Sequence, residues 1–152
     1  MENRFLERFA KSHEAVALTA KWFASQGNYK IKIPDFTIAG SHKDWKKHTD
    51  NGDLYVNNKR IEVKGLLKEK YSFTTKHEYP YDNWIICAKH SYDRANPKPY
   101  AYIIWNFQRT HFAIVKNDTQ KEWKVSTIKD PHYPNSQDFY VVDSSFVEVR
   151  AV

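Results

Sequence analysis

Cysteine is nearly missing from this chain: Cys87 is the only one among 152 residues, so neither an internal disulfide nor a cysteine-built zinc site can form. It sits within Trp84-Ile85-Ile86-Cys87-Ala88, where it reads as a small buried hydrophobe. Long apolar runs are missing too. No stretch approaches the roughly 20 residues that span a bilayer, which sets aside a helical membrane protein. The first residues, Met1-Glu2-Asn3-Arg4, do not form a secretory signal, so an intracellular, cytoplasmic location is the expectation. Glycine and proline are sparse at four and six, and no repeat or low-complexity tract marks a linker, so a single domain over residues 1–152 is expected.

Basic and aromatic residues are plentiful instead. Lys and Arg number 24 against 18 Asp and Glu, giving a net charge of +6 and favouring a polyanionic partner. Aromatic residues make up 16% of the chain, enough either for stacking on bases or for an aromatic-rich β core.

Apolar residues recur at three- and four-residue steps from Phe5 to Ala24, predicting a helix that Gly27 stops. Tyr29 to Ile33 alternates as a short strand ending at Pro34, and Gly40 to Gly52 is a polar, Lys-rich loop. Two alternating runs flank Asn57-Asn58, a pair that tolerates positive φ, so Gly52 to Gly65 is expected to form a β-hairpin. A polar, Lys-rich piece covers Lys68 to Tyr81. The apolar segment Asn83 to Lys89 is expected as a central strand, with further strands at Tyr100 to Phe107, His111 to Val115, Trp123 to Ile128 and Phe139 to Val149. The fold class is α+β, with a mainly antiparallel or mixed sheet.

With Asn57-Asn58 at the turn, Leu54 faces Ile61 and Asp53 faces Glu62. Alternation puts Asp53, Glu62 and Lys64 on one face and Leu54, Val56, Ile61 and Val63 on the core face. Facing carboxylates repel at about 5 Å, and a divalent cation reverses that cost. Lys64 would then place an amine beside a bound phosphodiester. The competing reading is a solvated hairpin in which both acids form surface ion pairs with Lys64 or Arg60.

The runs Gly52-Asp53-Leu54-Tyr55-Val56 and Ile61-Glu62-Val63-Lys64-Gly65, with Glu14 on the first helix, resemble the PD-(D/E)xK nuclease superfamily and its restriction-endonuclease-like fold. The likeness covers roughly residues 9 to 90. It implies Mg²⁺-dependent phosphodiester hydrolysis by an endonuclease or DNA-processing nuclease, with Mn²⁺ as a substitute. Asp53, Glu62 and the Val63 carbonyl would be metal ligands, Glu14 an outer or additional one, and Lys64 catalytic. Pro34-Asp35 supplies the literal Pro-Asp letters further upstream, so Asp35 competes with Asp53 for the first acidic position. Asp53 is preferred because it heads a strand able to pair with Glu62.

Lys43, Lys46, Lys47, Lys68, Lys70 and Lys76 flank this region as candidate phosphate contacts, with His77 in a supporting role. Trp45 and Tyr71 are candidates for base stacking or for capping the core. DNA is the expected partner, RNA remains open, and small nucleases of this kind often act as homodimers. The alternative is a non-catalytic nucleic-acid-binding module with a nuclease-like fold.

Overall fold

The computed structural model describes residues 2–34, 52–129 and 135–152, with side chains from residue 13 onward. The polar loop from Gly40, with Asp35, Lys43, Trp45, Lys46 and Lys47, lies outside the described residues. Helix α1 (Glu2–Gln26) forms where the apolar spacing predicts it and stops before Gly27. Its buried face presents Ala15 and Val16 to the sheet. Thr19 Oγ1 donates to Ala15 O at 2.7 Å and accepts from Trp105 Nε1 at 2.8 Å, which ties the helix to the centre of the sheet.

The strands are β1 (Ile31–Lys32), β2 (Leu54–Val56), β3 (Lys59–Gly65), β4 (Asn83–Ala88), β5 (Ala101–Trp105), β6 (His111–Lys116), β7 (Lys124–Ile128), β8 (Gln137–Asp143) and β9 (Glu148–Ala151). A short helix, α2 (Lys89–Arg94), follows β4 directly. A mixed six-stranded sheet runs β1-β2-β3-β5-β6-β9, with β3 and β5 parallel and the other pairs antiparallel. A second, antiparallel sheet runs β4-β8-β7.

Two core clusters lie on opposite faces of the six-stranded sheet. Leu54, Val56, Ile61, Val63, Ala101 and Ile103 pack under α1. Tyr102, Ile104, Ala113 and Val115 pack against Trp84, Ile86 and Val142 of the second sheet. The layers are therefore helix, mixed sheet and antiparallel sheet, which establishes the α+β class.

The expected central strand at Asn83 to Lys89 is corrected here: β4 is an edge strand of the second sheet. The place beside β3 belongs to β5, whose five residues are all buried, as a parallel strand covered on both faces requires. The single strand expected from Phe139 to Val149 is also two strands in different sheets, separated by a 3₁₀ turn at Ser144–Phe146. Asp143 caps that turn, its carboxylate accepting from Ser145 N at 2.9 Å.

Candidate active site

Asn57 and Asn58 adopt φ of 50° and 65°, both central positions of a two-residue turn of the type that matches strand twist. The resulting register pairs Leu54 with Ile61 and Val56 with Lys59, as the alternation predicts. Asp53 stands one residue before β2. Its Oδ2 accepts from Val63 N at 2.8 Å. In a strand the N–H and C=O of one residue point to the same edge, so the Val63 carbonyl is also directed toward Asp53.

Glu62 and Lys64 project from β3 on the face opposite α1. The parallel register places Tyr102 beside Glu62. A cleft of about 360 Å³ opens there, lined by Asp53, Glu62, Val63 and Lys64, with Tyr102 from β5, Cys87 and Ala88 from β4, Ser91 from α2 and Phe139 from β8. Both sheets therefore contribute walls.

The electrostatics of the cleft are unusual. Burial, the Asp53 charge and a hydrogen bond with Asp53 push the Glu62 carboxyl up to about 8, against the opposing pull of Arg60. Burial pulls the Lys64 amine below its ordinary value. Burial raises both the Tyr102 phenol and the Cys87 thiol. Hard oxygen donors of this kind suit Mg²⁺ or Mn²⁺. Among the described residues no group of three or more His, Cys, Asp or Glu side chains is gathered for a metal, so a carbonyl, water or substrate oxygen would have to complete the shell.

The chain matches no protein-family model, no curated protein and no solved structure.

The other predicted positions lie elsewhere. Glu14 is exposed and pairs with Arg109 at 3.5 Å, outside the cleft lining. Arg109, with φ of 62°, also donates to the carbonyls of Leu66 and Asn106. Lys68 is exposed, and Lys70 Nζ donates to Tyr81 Oη at 2.5 Å. Lys76 and His77 belong to a 3₁₀ turn at Lys76–Glu78. None of these four lines the cleft.

Arg60 was not singled out as a functional residue. Its side chain is 4% exposed, and its Nε donates to Glu62 Oε1 at 2.7 Å. A second donor, Nη1, reaches Pro97 O at 3.2 Å. The signal was available, because Arg60 precedes Glu62 by two residues and must share its face. Gly52 makes room for it: at φ +92° a Cβ there would lie 2.8 Å from Arg60 Nε. Tyr102 could not be found from sequence, since its place depends on the β3/β5 pairing.

Proposed function

We propose that the protein is a metal-dependent phosphodiesterase, an endonuclease or DNA-processing nuclease with a restriction-endonuclease-like core. The observation that carries this reading is the convergence of Asp53, Glu62 and Lys64 in one cleft, with the Val63 backbone beside them. Asp53, Glu62 and the Val63 carbonyl would hold Mg²⁺, with Mn²⁺ as substitute. When bound, the ion supplies positive charge to a phosphate and acidifies a water.

The chain's own groups do the rest. The Lys64 amine, which lines the same cleft, would orient the attacking water and stabilise the charge that grows on the phosphate oxygens. Arg60 neutralises one acid and keeps Glu62 from swinging out of the cleft. DNA is the proposed substrate, with RNA as a comparison, and a homodimer would allow both strands to be cut. No metal contact is assigned to Glu14, whose carboxylate is engaged by Arg109.

Cleavage of plasmid, linear duplex, single strands and RNA should be assayed in Mg²⁺, Mn²⁺ or EDTA. Asp53→Asn and Glu62→Gln should each lower the rate by about 100-fold or more while melting stays cooperative. Undiminished cleavage in either variant sinks the assignment. The Arg60–Glu62 pair favours one other reading, because a cation side chain already neutralises the acid. It is a non-catalytic nucleic-acid-binding module, for which the same assay would give salt-sensitive retention and no products.

A further inference from the structure

On the α1 side of the mixed sheet, opposite the cleft, lies a second open groove of about 400 Å³. Its floor is apolar, formed by Val56, Ile61 and Ile103. Trp22 and Phe23 of α1 form one wall, packed edge to face at 5.0 Å. Two exposed tyrosines line it, Tyr29 at 43% and Tyr100 at 45%. Tyr100 is fixed by its backbone, which donates to Arg60 O at 2.7 Å and accepts from Asn117 N at 2.9 Å. The Tyr29 and Phe23 rings meet in a T-shaped pair at 6.0 Å.

Among the described residues, every charged side chain lining this groove is a cation: Lys59, Lys116 and Arg150. Lys59 Nζ sits 4.3 Å from the centre of the Tyr100 ring, and Arg150 lies 5.8 Å from the Trp22 ring. Arg150 also meets an exposed partner, Glu148, at 3.2 Å. The surface thus offers flat exposed rings and an apolar floor within reach of positive charge. A ligand matching both must alternate flat apolar groups with anions. Single-stranded nucleic acid does so, whereas a duplex hides its base faces and an acidic peptide lacks the rings.

We propose that this groove binds single-stranded nucleic acid, with bases stacked on Tyr29 and Tyr100 and phosphates on Lys59, Lys116 and Arg150. The site lies on the opposite face of the sheet from Asp53 and Glu62, so binding there does not depend on phosphodiester cleavage.

The test is fluorescence anisotropy of a labelled oligothymidylate of about ten nucleotides, in EDTA, with full-length protein. Tyr29→Ala and Tyr100→Ala should each weaken binding about tenfold. The triple exchange of Lys59, Lys116 and Arg150 to Ala should lessen the slope of log affinity against log salt by about 2. Lys59→Glu, on an exposed side chain that leaves the core untouched, should weaken binding even if a tyrosine variant misfolds. Wild-type affinity and salt slope in Lys59→Glu and the triple variant would overturn the proposal. So would poly-glutamate competing as well as the oligonucleotide. Because EDTA silences any metal chemistry, a cleavage assay that fails leaves this outcome intact, and the reverse also holds.

Discussion

The Glu62 carboxyl, pushed up from 4.5 to about 8 by burial and by Asp53, makes stability depend on pH in a definite direction. Between those two values the folded chain keeps a proton that the unfolded chain has released, so the unfolded state binds fewer protons and stability falls as pH rises. The contribution is fully present below pH 4.5 and is lost as pH climbs through about 8. Glu62→Gln imitates the protonated acid and removes the dependence. In EDTA, wild type and variant should melt together near pH 5, and by pH 9 the wild type should melt lower by roughly 2–4 °C for each kcal/mol involved. Equal melting temperatures across that range would show that Glu62 ionises freely in the fold. At this scale the sequence was informative about charge and blind to neighbours. The acids and Lys64 follow from alternation, while Tyr102 and Cys87 reach the same cleft only through strand pairings that span long stretches of chain.

The hairpin was the most legible element, because its register is set by two adjacent residues. Asn57 does more than accept a positive φ. Its N–H donates to Lys30 O at 2.8 Å and its Oδ1 accepts from Lys30 N at 2.8 Å, so the turn also anchors the chain entering β1. Asn57→Ala would keep the backbone donor, lose the side-chain acceptor and strain a left-handed position. It should cost about 1–2 kcal/mol by urea or thermal unfolding. Asn57→Gly, which relieves the backbone but still lacks the acceptor, should cost less. If both variants match wild type, the turn does not fix the register. Helix α2 was not anticipated: six residues are too few for an apolar period, and it is held by tertiary partners such as Lys98 Nζ on Asp93 O at 2.8 Å. The segment Asn83 to Lys89 misled for a related reason. Short apolar runs look alike whether they lie at the centre of one sheet or at the edge of another, and the more completely buried β5 took the central place.

At the scale of the molecule, the candidate active site lies at the seam between the two sheets, so it depends on packing that none of its polar residues provides. Trp84 anchors β4, at that seam, to the connection that follows β3. It is 1% exposed, stacks on Tyr79 at 3.9 Å, meets Phe73 edge-on at 4.9 Å and donates its indole N–H to Lys76 O at 3.2 Å. Trp84→Ala removes a large buried ring and should cost about 3–5 kcal/mol, a large share of the 5–15 kcal/mol that typically holds a domain together. Because Cys87 and Ala88 reach the cleft on the same strand, loosening β4 displaces one cleft wall while leaving Asp53, Glu62 and Lys64 chemically intact. The two kinds of variant should therefore separate. On the proposed nuclease reading, Glu62→Gln should lose Mg²⁺-dependent cleavage with its cooperative melt retained, whereas Trp84→Ala should lose cleavage in step with the near-ultraviolet circular dichroism that reports ring packing. A Trp84→Ala protein that melts like wild type would mean that the Trp84 ring contributes little to holding β4, and with it the Cys87–Ala88 wall of the cleft, in place.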